Sequence, residues 1–246
     1  MLFPAKLTFD LITRRLLLEA VSRFVSYIIP TLNEAGNLSA SLSRVDEQSG
    51  DKEIIVVDGG STDTTIEIAH QYGCVVLKSP PGRGIQMNCG ANSASGDILF
   101  FLHGDTRLPI NASEEVESIL ENPKTIAGSF QLSFDNPSRL LRLYSKCSSI
   151  NNTYFTYGDQ GLFLRRKTFD DLGGFKSYPF LEDIEFQLRL RRSGRFHKSK
   201  QSVETSARRF ESNGIVKQQL LNFVIIAAYR LGFNPHQLKR FYSNFQ

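Results

Sequence analysis

Hydrophobic positions in the first hundred residues fall into short, β-branched runs separated by polar turns and by stretches with helical spacing. Residues 25–29 (VSYII) read as a buried strand ending at Pro30, and Asn33 is placed to cap a helix running to about Glu47. Residues 53–57 (EIIVV) form a second buried run, closed by the turn cluster Asp58-Gly59-Gly60-Ser61. Residues 62–72 read as helix, 74–78 as a third strand, 80–94 as a loop and helix, and 98–102 (ILFFL) as a fourth strand. This β-α-β-α-β-α-β order with short connections predicts an α/β fold, a mostly parallel Rossmann-like sheet with helices on both faces. Ligands of such sheets bind beyond the carboxyl ends of the strands, so the polar residues just after each strand are the candidates for chemistry.

The second half is less regular. Residues 125–134 and 160–165 (QGLFLR) read as strands, 138–148 and 181–192 as helices, and 215–231 as a long apolar helix. No repeat, low-complexity tract or linker divides the chain. The expected organisation is one domain over residues 25–210, with a C-terminal helical segment, 211–246, packed on it. Residues 1–24 read as an extension. Leu11, Leu17, Leu18, Val21 and Phe24 share one helical face, which suits an amphipathic helix docked on the domain or lying on a membrane.

Composition narrows the class. The 246 residues are 41% hydrophobic and 22% charged, which is ordinary globular usage. The longest late apolar stretch, residues 220–228, is too short to span a bilayer and is closed by Arg230. Arg14 and Arg15 break the N-terminal apolar stretch, so it does not read as a signal peptide. Three cysteines without metal-ligand spacing favour a reducing, cytoplasmic setting. Net charge is +4, but residues 187–246 hold twelve Lys/Arg against two Asp/Glu. Such asymmetry suits contact with phosphates or an anionic lipid surface, or else a solvated basic face.

Four polar clusters follow the expected strands: Pro30-Thr31-Leu32-Asn33-Glu34, Asp58 to Asp63, His103-Gly104-Asp105-Thr106, and Glu182-Asp183 with Gly158-Asp159-Gln160-Gly161 upstream. Asp58, followed by two glycines, can accept hydrogen bonds from a ribose or base, or merely begin a turn. Asp105, two residues past ILFFL and His103, suits a hard cation that takes one or two carboxylates from protein and the rest from phosphates.

Taken together, SYIIPTLNE, IIVVDGGSTDTT and GDILFFLHGDT, in this order and spacing, resemble the family 2 glycosyltransferases of the GT-A fold, over roughly residues 26–192. The string RGIQMNCGANSASGDILFFLHGDTRLP is most similar to a bacterial subgroup of small soluble members with HxDT in place of DxD. The resemblance implies that Pro30, Thr31, Glu34, Asp58 and Arg83 contact the donor nucleotide. It implies that Asp105 holds Mn²⁺ or Mg²⁺ against the diphosphate and that Asp183 acts as general base on an acceptor hydroxyl. His103 stands where the first Asp of D-x-D is usual. A neutral imidazole can ligate such a metal but brings no negative charge. Glu182, Gly158, Asp159, Gln160, Arg208 and Arg209 fall on the acceptor or diphosphate side.

The expected activity is inverting transfer of a sugar from a nucleotide-diphosphate sugar, a UDP-sugar favoured, to a hydroxyl acceptor. The basic C-terminal part and the apolar stretches point to a lipid-like acceptor and a peripheral contact at the inner face of a membrane, with no nucleic-acid partner. Two alternatives are a catalytically degenerate nucleotide-sugar binder, because of His103, and a basic lipid- or nucleic-acid-binding module, which leaves the four clusters without a purpose. An NAD-dependent enzyme would need G-x-G-x-x-G after the first strand, where PTLNE stands.

Overall fold

The computed structural model describes residues 24–243, so the expected N-terminal amphipathic stretch lies, apart from Phe24, outside the described residues. One eight-stranded sheet organises the chain in the order β3-β2-β1-β4-β7-β6-β8-β5. Strands β1 (Val25–Thr31), β2 (Lys52–Asp58), β3 (Val75–Lys78) and β4 (Ile98–Phe101) run parallel, as the alternating pattern predicts. After β3 the chain crosses to the other side of β1. That reversal is a topological switch point, and it opens a crevice beyond the carboxyl end of β1.

Alternation within the strands explains why both faces are covered. Tyr27, Ile29, Phe100 and Phe163 point to one apolar cluster, while Ile28, Leu99, Phe101, Leu162 and Leu164 point to the other. Helices α1 (Leu38–Asp46) and α4 (Ala112–Glu121) pack on the first face, and α3 (Arg83–Ser93) on the second, with α2 (Thr65–Gln71) beside α1. Large rings dominate, with Phe100 within 6.0 Å of the Tyr27, Phe130 and Phe163 centroids.

The rest of the sheet is mixed. β7 (Leu162–Arg165) runs antiparallel to β4 and to β6 (Thr125–Phe134), β8 (Arg195–Thr205) is parallel to β6, and the two-residue β5 (Thr106–Arg107) closes the edge antiparallel to β8. Helices α5 (Arg139–Cys147), α6 (Arg166–Asp171), α7 (Glu182–Ser193), α8 (Arg208–Asn213), α9 (Ile215–Arg230) and α10 (Pro235–Ser243) complete the order. α9 and α10 bury Leu221, Ile225 and Leu238 against Phe180 and Leu181 of the α7 approach.

Four local expectations need correction. β1 does not stop at Pro30 but continues to Thr31. The missing N–H costs nothing there, because the β4 register has already ended at Ile28–Phe101, beyond which Leu102 donates to the Ile28 carbonyl. Asn33 caps no helix. It sits at φ 55° in the loop, a conformation Asn tolerates, and α1 begins only at Leu38. Gln160 does not open a strand but ends the 3₁₀ turn Gly158–Gln160, and β7 begins at Leu162. β5, β8, α4, α6 and α8 were not foreseen, and α10 was not separated from the C-terminal helical segment. β8 is mostly polar and irregularly paired, with register shifts near Thr125 and Ser129, so no clean period-2 signal exists.

β6 approaches its neighbours closely at Gly128. A methyl group there would lie 2.5 Å from Phe163 Cζ and 2.8 Å from the His197 carbonyl oxygen. Gly128→Ala is therefore expected to cost about 1–3 kcal/mol by overpacking. Urea unfolding should show a lower midpoint with an unchanged slope.

Candidate active site

The crevice beyond β1 is a cleft of about 790 Å³. The loop after β1 lines one of its ends, and side chains lock it to the loop after β2. Asn33 N–H donates to Ser61 Oγ at 2.8 Å, and Asn33 Oδ1 accepts from Thr62 N–H at 2.8 Å. Glu34 N–H donates to Thr65 Oγ1 at 2.8 Å, and Ala35 N–H to Asp63 Oδ2 at 3.2 Å. Gln86 of α3 ties the two strand ends by donating to the Thr31 and Val57 carbonyls, each at 2.8 Å. From the other side, Arg208 of α8 reaches Glu34 at 3.1 Å. At this end the buried Thr31 Oγ1 has no hydrogen-bond partner.

Acidic side chains meet further along the same cleft. Glu182 and Asp183 open α7, where the helix dipole favours acids. Leu181 precedes them at φ 64°, a conformation that costs a branched residue energy and is held here by packing against α9 and α10. The half-exposed Asp183 accepts the Gly158 N–H at 2.6 Å through Oδ2, while the buried Glu182 lies 3.7 Å from Arg83. Gly158 is small because of its neighbours: a methyl group there would sit 3.1 Å from Asp183 Oδ2 and 3.2 Å from His103 Nε2. That contact places the carboxylate of α7 beside the imidazole after β4.

Electrostatics follow from this crowding. Burial, then the Asp105 and Asp183 charges, push Asp159 up to about 7, against the pull of Arg83 and Arg209. Burial, then Arg83 and Arg209, push His103 down to about 3, so its imidazole is neutral at neutral pH. Burial pulls the Arg83 guanidinium down, but Glu182, Asp183, Asp159 and Asp105 together raise it further. Among the described residues no three His, Cys, Asp or Glu side chains could hold a metal ion by themselves. A neutral imidazole and a carboxylate in the same cleft as Asp159, whose Oδ1 has no partner, nevertheless fit a divalent cation completed by phosphate oxygens.

Pro30, Thr31, Glu34, Arg83, His103, Asp105, Gly158, Asp159, Glu182, Asp183, Arg208 and Arg209 all line the cleft. Asp58 and Gln160 do not. Asp58 is buried and turned onto its own loop, with Oδ2 accepting from the Gly60 and Ser61 N–H groups at 2.9 Å. Gln160 is fully buried; it donates to the Phe155 carbonyl and accepts from Lys198, which ties the Gly158 turn to β8. Burial, then Arg191, lowers Lys198 to about 7, with Asp159 opposing. Reading the sequence missed Lys198 and the rings of Phe134, Tyr144 and Tyr157, which meet Phe210 in an aromatic wall of the cleft. Nothing in their local sequence marks them, because four separate elements bring the rings together.

A crevice at the switch point, polar loops braced at one end and an acid–imidazole–arginine cluster at the other, is the layout of a nucleotide-sugar enzyme of the GT-A type. The profile of glycosyl transferase family 2 matches residues 26–180, and the chain belongs to that family. It is a glycosyltransferase. It is 31% identical over 182 residues to a PGL/p-HBAD biosynthesis glycosyltransferase of Mycobacterium bovis, which covers 67% of this chain and 68% of that one. The fold is similar to that of a mannosyltransferase from Pyrobaculum calidifontis in complex with GDP-Man and Mn²⁺, with a TM-score of 0.67 at 19% identity over 93% of this chain and 73% of that one. It is also similar to S. aureus TarS 1–349 in complex with UDP, with a TM-score of 0.62 at 17% identity over 80% of this chain, which spans 65% of that structure.

Asp159 supplies a pH test. Its carboxyl loses its proton near pH 4 in an unfolded chain but only at about 7 in the metal-free fold. The unfolded state alone releases a proton across that window, so stability falls as pH rises through it. Asp159→Asn removes this penalty. In chelator, its advantage in melting temperature over the wild type should grow from about pH 4 to about pH 7 and stay constant above. A pH-independent difference would show that Asp159 is not held protonated.

Proposed function

We propose that the chain transfers a sugar, with inversion, from a nucleotide-diphosphate sugar to an acceptor hydroxyl, with Mn²⁺ or Mg²⁺ held by Asp105 and His103. The observation that carries this reading is the approach of Asp183 and His103 to one another across Gly158. A proton acceptor and a diphosphate-side group then face the same small volume. Bound at Asp105 and His103, the cation would neutralise charge on the departing diphosphate. A UDP-sugar is the first donor to test, since TarS, of the same fold, is complexed with UDP.

Each side chain then has a task. Pro30, Thr31 and Glu34 meet the nucleoside, and the unpartnered Thr31 hydroxyl would find its hydrogen bond there. Asp58 approaches the base only if Ser61 Oγ, now bonded to Asp58 Oδ1, yields its place. Arg83 and Arg209 balance the carboxylates and the donor phosphates. Asp183, held by the Gly158 N–H, takes the acceptor proton as the new glycosidic bond forms at the anomeric carbon. Glu182 is buried beside Arg83 and positions that guanidinium instead. No Ser-His or Cys-His pair is suggested by the motifs as a carrier for a covalent sugar intermediate.

Two measurements test the scheme. Calorimetry should show UDP or GDP binding that requires Mn²⁺ or Mg²⁺ and is lost in Asp105→Ala; equal affinity in chelator would remove Asp105 from the metal. Asp183→Asn keeps the shape and removes the base, so transfer should fall by about 10²- to 10⁴-fold while nucleotide affinity changes little. Turnover near the wild-type rate would place the base elsewhere.

A further inference from the structure

Helix α9 has two apolar faces. Leu221 and Ile225 pack inward with Leu238 of α10, and Ile225 and Ile226 line the cleft. On the opposite side Val216, Leu220, Phe223 and Val224 form an exposed stripe that continues to Leu231 in the following turn. Their spacing of four, three, one and seven confines them to one arc about 100° wide. These side chains are not grazing the surface: Val216 is 66% exposed, Leu220 63% and Leu231 80%.

Charge decides what fits the stripe. Residues 215–243 contain four Lys/Arg and no Asp or Glu; Lys239 lines the cleft, but the exposed Lys217 and Arg230 flank the arc on its two edges. A second copy docking through the same face would bring cations against cations. Residues 1–23 carry four Lys/Arg and two Asp/Glu, so they too would repel rather than complement it. A surface that is apolar beneath and anionic above satisfies both features at once. Among the described residues no helix is long and apolar enough to cross a membrane, so the contact would lie along the interface.

We propose that the outer face of α9 docks the enzyme on an anionic lipid surface, with Val216, Leu220, Phe223, Val224 and Leu231 inserted at the headgroup boundary and Lys217 against the headgroups. The inner face of the same helix lines the cleft, so docking brings the cleft wall to the membrane.

Co-sedimentation of the full chain with vesicles tests this. At low salt the protein should bind phosphatidylcholine–phosphatidylglycerol vesicles and bind phosphatidylcholine vesicles weakly. The double variant Leu220→Glu/Leu231→Glu should lose binding about tenfold or more, while its nucleotide affinity with Mn²⁺ stays at the wild-type value and so reports an intact fold. Lys217→Glu should weaken binding about fivefold and only on anionic vesicles. Absence of binding to either vesicle at low salt, equal binding by the double variant, or a wild-type dimer that the double variant makes monomeric would overturn the proposal.

Discussion

Like charge confined in one cleft is the constraint from which the site follows. Asp105, Asp159 and Asp183 arrive from three separate parts of the chain, and burial, then the charges of the other two, pushes Asp159 up to about 7. Arg83 and Arg209 offset part of that repulsion, and protonation of Asp159 relieves more. A diphosphate bound beside the carboxylates that stay ionised would need a cation in company, because its oxygens would otherwise face like charge. Burial, and after it the same arginines that stabilise the acids, keep His103 neutral, and thus able to offer a lone pair.

The fold holds this arrangement by bracing rather than by bulk. Much of the PTLNE and DGGSTDT motifs does not face the cleft at all. Asn33, Ser61, Thr62, Asp63 and Thr65 bond one another, and their donors and acceptors are spent on the loops themselves. Gln86 and Arg208 then anchor the assembly from α3 and α8. Cleft-facing groups are a minority, Thr31 and Glu34 among them, and they are positioned by neighbours in the same motif. Short motifs of this kind are specific because they encode both the contact and its support.

The parallel half of the sheet was legible in the sequence. Short apolar runs such as EIIVV and ILFFL, β-branched or aromatic and closed by turn residues, read as strands buried on both faces whose ligands bind beyond their carboxyl ends; that the switch point falls at β1 only the strand order shows. The residues at the strand ends, Thr31, Glu34, His103 and Asp105, were readable for the same reason. Glu182 and Asp183 were readable as acids at a helix start, and the resemblance to the family added the chemistry.

What the tertiary structure alone decided is how distant segments meet. Local pattern cannot say that Gly158 N–H holds Asp183, that Arg208 crosses to Glu34, or that Gln160 serves Lys198 and not the cleft. Nor can it reveal that Asp58 spends its oxygens on its own turn, or that α9 is apolar on two faces of which, among the described residues, only one is covered. The physical reason is one of range. Strand and helix identity is written in neighbours two to four residues apart, whereas burial, charge coupling and hydrogen-bond partnership depend on residues brought together from across the chain, which only the folded sheet supplies.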